Sequence, residues 1–592
     1  DGSFTMDAAA TLTVDNLTLG ATGVITVAAG AVFNYYGAIT GAGNINFTVS
    51  EADTKGIFKL IGYSGNGTAA DYDSLNITVN GAKNNNVRKV GNDLWYIGDT
   101  STKLYVNVAW AGKAYGEKVT FVDGTTAYYK INAFDTVANA MALPAGETVY
   151  KDPVNLNITG STVAINVIGK DITEVNSSAK TDDENAVIVT DALTVNMIEY
   201  DNDTAGWQVY YPLAGNSIAK VYGSVTTNFV SNRFTKDNKT ADSNFIGGAY
   251  SGSTAKIYGN TTVNIGTKDG PDSDVNFVVG ALLGGGAGTI NGTSTVNIYA
   301  GTITATGSII GGSSWGGVVK GNSVVNIYGG VITTGTKDTD PKRGIMGGSY
   351  KGVTEGDAIV NISGGTINSR IYGGGSNADT VVKGNAKVNI SGGTITGNIY
   401  GTGGTVEKDV NINITGGSVV GIVYGGGYGS DAKVLGNTSV TIDKGAVSAG
   451  IYGGGLNSAV TGDAVLTIKN FTKLQPIPGT QSDKIQISGG SYAEAGMTAS
   501  VRNTTVTVSD SKIYGHVMGA GSTTGVGAVS NTGKAVVSVS NLEINGYTDG
   551  KGNIWTGRVF GAGRAQSGGI INVASTDVTI LNMSGYTYDV NG

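Results

Sequence analysis

Three groups of acidic residues, one histidine and one row of tyrosines are the places where this sequence could do chemistry. The segment KDGPDSD carries Asp269, Asp272 and Asp274. Carboxylates this close together in a loop could supply the oxygen ligands that a calcium ion takes. The spacing is neither that of an EF-hand loop nor that of the glycine-rich nonapeptide repeat, so a plain solvated loop stands beside the calcium reading.

The other acidic groups are TDDEN (Asp182, Asp183, Glu184) and KDTDPKR (Asp338, Asp340). Cleaving a glycosidic bond takes a pair of carboxylates placed across the sugar. A lyase on an acidic polysaccharide needs carboxylates, a basic residue and often calcium on one face. The three groups here do not recur at one position of the sequence pattern, which points away from catalysis. The chain has no cysteine, and His516 is its only histidine. That excludes thiolate metal sites, His-rich zinc sites and any mechanism needing two histidines. His516 sits in YGHVMGAG beside a core-type valine, which predicts a packed or surface residue. No GxSxG, P-loop or HExxH occurs, and GxGxxG-like strings mean little where glycine is 96 of 592 residues.

The tyrosines come as IYGGG and its variants. Tyr372, Tyr400, Tyr424 and Tyr452 hold one position of a repeat, and Ile310, Met346, Met518 and Phe560 hold it elsewhere. The residue before each is also apolar. Two adjacent apolar residues cannot both face inward on a regular strand. Either the strand bends there, or these four tyrosines form an outward stripe for lateral assembly, a partner or a surface glycan. Ready replacement of Tyr by Ile and Met favours burial.

The elements that position these residues are short strands. The phrase KVNISGGTITGNIYGTGG, Lys387 to Gly404, recurs along the chain. Its VNI element returns around residues 263, 296, 325, 360, 388, 412, 440 and 466. That gives a period of about 24 to 35 residues, in the solenoid range. No 3.6-residue periodicity appears within a period, which excludes helix-containing repeats. A propeller blade needs four antiparallel strands and more residues than the shortest copy holds. The fold expected is therefore all-β: a parallel β-helix with glycine-rich turns, whose strands pair coil to coil. Val388, Ile390 and Ile395 should fill the core, and Gly392, Gly393 and Gly401 should turn the chain. Asn389 should form an outer ladder with Asn264, Asn297, Asn326, Asn361 and Asn413, continued by Thr441, Thr467, Thr507 and Thr579.

Residues 1–100 read as a short β-rich, solenoid-like module, with a closing hairpin between FKLIGYSG and NDLWYIGD. Residues 101–145 read as a linker and capping segment. Asn132 to Leu143 is the best helix candidate: Asn132 can cap it, Phe134, Val137, Ala138 and Met141 share a face, and Pro144 and Gly146 end it. Residues 146–592 read as the main β-helix. No cap is evident after Met583, so the last coil should continue in further residues or dock on another subunit. The chain opens at Asp1 without methionine, which suggests a processed or partial product of an exported precursor.

The phrase INAFDTVANAMALPAGETVY followed by coils of GNAKVNISGGTI resembles bacterial pectin-lyase-like right-handed parallel β-helices. GAITGAGNINF resembles coils of autotransporter passengers and large repetitive surface proteins. That resemblance implies an exported surface-array component, an adhesin or a glycan-degrading enzyme. The net charge of −7 gives no basic patch for nucleic acid, and no apolar run reaches the length of a membrane helix. The functional expectation is an extracellular or cell-surface structural protein without enzymatic activity. It would be a β-solenoid rod of a surface layer, fibre or adhesin, self-associating head-to-tail or laterally. The alternatives are a polysaccharide-active lyase or hydrolase and a non-catalytic glycan-binding adhesin. Calcium is the one cofactor left open.

Overall fold

The computed structural model describes residues 2–97 with short gaps. Between 101 and 234 it describes strands only. It then describes 244–248, 256–266, 276–335, 343–471, 486–545 and 557–584, with short strands at Tyr547–Thr548, Ile554–Trp555 and Tyr588–Asn591. The acidic residues Asp182, Asp183, Glu184, Asp269, Asp272, Asp274, Asp338 and Asp340 all lie outside the described residues.

One coil shows why this sequence makes a solenoid. Strand Ala386–Ile390 alternates buried and outward residues, with Ala386, Val388 and Ile390 inside. The pair Gly392–Gly393 then bends the chain, and Gly393 takes φ +85°, a left-handed conformation that a side chain resists. Strand Thr394–Ile395 follows and buries Ile395. Strand Ile399–Thr402 forms a third side, and Thr405–Val406 leads into the next copy, Val410–Ile414. Each strand pairs in parallel with its counterpart one coil on: Val388 with Ile412, Ile395 with Val419, Tyr400 with Tyr424, the last followed by a one-residue bulge before Thr402 meets Gly427. Three long sheets result, so the fold is an all-β parallel solenoid.

Coil length varies without breaking register. Equivalent residues of successive coils are 33, 29, 35 and 28 positions apart between Asn264 and Asn389. The asparagines stay paired across these unequal lengths. Val388, Ile390 and Ile395 are at most 1 % exposed and belong to one continuous core. Full burial of each such side chain contributes about 1.5–3 kcal/mol. The second sheet ends at Ala446–Val447. Beyond it the first strand of each coil lengthens, as in Thr504–Tyr514 and Ala528–Asn545.

The N-terminal residues form a smaller stack with a separate core that includes Phe33, Tyr35, Ile45 and Phe47. Parallel strands Ser3–Met6, Val24–Ala28, Asn44–Thr48 and Asn76–Val79 are its rungs. The antiparallel hairpin Val87–Val90 with Asp93–Ile97 pairs onto Ile57–Tyr63.

The expected helix at 132–143 is not what its first residues form. Asn132–Phe134 is a strand, antiparallel to Ser101–Val108; residues 135–143 lie outside the described residues. The other edge of Ser101–Val108 is taken by Thr159–Gly169, in parallel. An unpaired strand edge offers a row of hydrogen bonds, and a helix this short is marginal by itself. Among the described residues there is no helix.

Candidate functional site

The IYGGG element places its two apolar residues in two different cores. Ile371, Ile399, Val423 and Ile451 face the main core, while Tyr372, Tyr400, Tyr424 and Tyr452 face a second cluster. The four rings are 0–2 % exposed. They stack one coil apart, with centroids 5.3, 5.3 and 5.0 Å apart in order along the chain. Of the two arrangements left open by the sequence, the buried one holds: the four tyrosines form no outward stripe, because the turns fold back and cover them. Tyr428, Leu456 and Tyr492 supply the cover and pair with one another in parallel. Tyr428 meets Tyr400 edge-on at 4.9 Å, and Tyr492 meets Tyr452 edge-on at 5.6 Å, geometries that suit the ring quadrupole.

A glycine column separates the two cores. Gly401 is in a strand, where turning was expected of it. A Cβ at Gly401 would lie 2.3 Å from the Gly425 carbonyl oxygen and 2.8 Å from Val410. The core valines pack directly on this bare backbone: Val388 on Gly373, Val410 on Gly401 and Val440 on Gly425.

Burial pushes the Tyr400 phenol up to about 12, against a smaller opposing pull from the Asn398 amide, which donates to its oxygen at 3.0 Å. Tyr424 is raised by burial and by the neighbouring tyrosines. These directions keep both phenols neutral and suit packing. His516 is buried and meets Phe560 edge-on at 5.6 Å.

Two polar ladders run along the outside. Asn264, Asn297, Asn326, Asn361 and Asn389 each donate Nδ2–H to the Oδ1 of the asparagine one coil back, at 2.7–2.8 Å, starting from Asn228. Asn166 and Asn196 precede Asn228 in the same register, and Asn413, Thr441, Thr467 and Thr507 follow it. The sequence reading missed Asn166, Asn196 and Asn228, because their strands, TVAINVIG and LTVNMIE among them, lack the GNxxVNI lead-in.

The second ladder gives a role to the residue after that glycine. Asn322, Asp357, Asn385, Asp409, Asn437 and Asp463 alternate amide and carboxylate. The backbone N–H of each from Asp357 onward donates to the side-chain oxygen one coil back. Alternation keeps carboxylates two coils apart. Burial raises the Asp357 carboxyl, but hydrogen bonds from Lys387 and Asn385 outweigh this and hold it below the usual range. Arg502 does the same for Asp463.

One aromatic pair, Tyr328 exposed and Tyr299 half-buried, departs from the repeat. Tyr299 and Tyr328 stack 5.0 Å apart and 6° from parallel. They hold the position after the VNI element, where neighbouring coils carry Gly266, Ser363, Ser391 and Thr415, and later coils carry Asp443 and Lys469. Sequence reading overlooked them. The available signal was their departure from a small-residue position.

No family model, curated protein or solved structure matches this chain.

Proposed function

We propose that this chain is a structural protein of the cell exterior, without enzymatic activity: a β-solenoid rod of a surface layer, fibre or adhesin that associates with further copies. The observation that supports this most is the asparagine ladder. Its amides bond to one another from coil to coil, and the repeated residues around them also serve stacking. The sequence resemblance to pectin-lyase-like helices and autotransporter passengers, though without a matching relative, is consistent with export.

The mechanism is mechanical. Coils stack ~4.8 Å apart, so about a dozen extend the rod by roughly 60 Å. Rods joined through a contact that does not close give filaments. Electron microscopy of the purified protein at rising concentration tests this. Rods joining end to end or side by side are expected; single short rods at every concentration would overturn self-association. Release of unsaturated or reducing sugars from acidic polysaccharides, with or without calcium, would replace this reading with an enzymatic one.

A further inference from the structure

The stacked pair Tyr299–Tyr328 is placed where the three coils that follow put a small residue, Ser363, Ser391 and Thr415. One face of Tyr328 is covered by Tyr299. Its other face looks toward the next coil, where Ser363 stands in register; the Ser363 N–H donates to the Ile327 carbonyl. Ser363 is too small to cover a ring, and Tyr328 is 49 % exposed. Coil spacing of ~4.8 Å is close to the ring separation in the pair, so the level of Ser363 has room for a third flat ring on the stack. The coil after that carries Ser391 at the same position, again small and exposed.

The last outward residues before Ser363 and Ser391 on their strands are amides. Asn361 and Asn389 point outward from the strands that end next to Ser363 and Ser391. Each amide has two N–H groups and two lone pairs. The ladder bonds use one N–H of each, and one oxygen lone pair of Asn361. The ligand that matches is one with an apolar ring face and a rim of hydroxyls. A purely aromatic partner would leave the amides and serine hydroxyls unmatched, and the cation of these strands, Lys387, is already held by Asp357 at 2.6 Å, which disfavours an acidic sugar.

We propose that Tyr328, backed by Tyr299, is a binding platform for an uncharged saccharide, whose ring stacks on the open face of Tyr328 while its hydroxyls meet Ser363, Asn361 and Asn389. This goes beyond the structural role and does not depend on it.

The test is titration calorimetry of the whole chain with cellohexaose and chitohexaose, and with oligogalacturonate as the acidic control. The variants are Tyr328→Ser, which installs the residue of the next coil, Tyr328→Trp and Tyr299→Ser. At least one neutral oligosaccharide should bind. Tyr328→Ser should weaken it roughly tenfold or more with an unchanged melting curve, Tyr299→Ser should weaken it less, and Tyr328→Trp should preserve it. Absence of binding to both neutral probes, binding that Tyr328→Ser leaves intact, or binding to oligogalacturonate alone would each overturn the proposal. So would a concentration-dependent dimer in sedimentation that Tyr328→Ser abolishes, since the ring would then be covered by a second copy. Rods that stay single but bind a neutral sugar would refute self-assembly and leave this site standing.

Discussion

Tyr400 and Tyr424, one coil apart, stack with ring centroids 5.3 Å apart and planes 2° from parallel. Each ring is thus the floor for the next. Replacing Tyr424 by alanine should open a hole between two stacked neighbours and cost about 3–5 kcal/mol, the range for removing a large buried aromatic. Tyr424→Phe keeps the stack and should cost about 1 kcal/mol or less. Urea unfolding of the two variants checks this. Equal losses would show that the hydroxyl, not the stacking, holds the column.

The same column gives the fold an alkaline limit. Tyr400 titrates near 10.0 when unfolded and about 12 when folded, and Tyr424 is shifted in the same direction. Folding raises these values, so their contribution to stability is complete below pH 10. It is lost as pH climbs from there through about 12. Tyrosinate absorbance followed alongside circular dichroism should show the buried phenols ionising only as the sheet signal falls. Full ionisation with the fold intact would mean the column is open to solvent.

Gly401 and Gly429 should respond oppositely to expectation from conformation alone. Gly429 has φ +85° but nothing near its missing Cβ. Gly429→Ala should cost only the left-handed penalty, about 1–2 kcal/mol. A Cβ at Gly401 meets backbone of the next coil at 2.3 Å, which cannot move without parting the coils. Gly401→Ala should lower the melting temperature much more, and a milder effect than that of Gly429→Ala would contradict the close-approach reading.

Val388→Asp puts a carboxylate into a site that is fully buried and should disrupt the stack around it. Val388→Ala, which only leaves a cavity, should cost about 2 kcal/mol. Limited proteolysis near residue 388 together with thermal melting separates the two; an unchanged melting temperature for the aspartate variant would refute its inward orientation.

Much of this was legible because a solenoid repeats its reasons. Val388, Ile390 and Ile395 alternate with polar residues, and period-two alternation identifies an inner face in the sequence. Asn389 recurs at one step of that alternation, so its ladder was also legible. Tyr400 was not. Its cover comes from Tyr428, Leu456 and Tyr492, in turns of unequal length whose residues align only once the strands are in register. Gly401 was misjudged because a glycine that turns and a glycine that lets two layers touch are written alike. Asn132–Phe134 failed for a related reason: a local capping signal cannot reveal the free strand edge at Ser101–Val108. Tyr299 and Tyr328 were legible in principle, as two aromatic rings at a position that the three following coils fill with Ser363, Ser391 and Thr415.

The hydrogen bonds of the asparagine ladder all run one way, each amide donating toward the coil before it. Amide dipoles aligned in this manner add, as peptide dipoles do along a helix, and bonds in a chain polarise one another. The stack is therefore electrically polar along its axis, with distinguishable ends. Copies lying side by side gain most when they run in opposite directions, and copies meeting end to end gain most when they run in the same one.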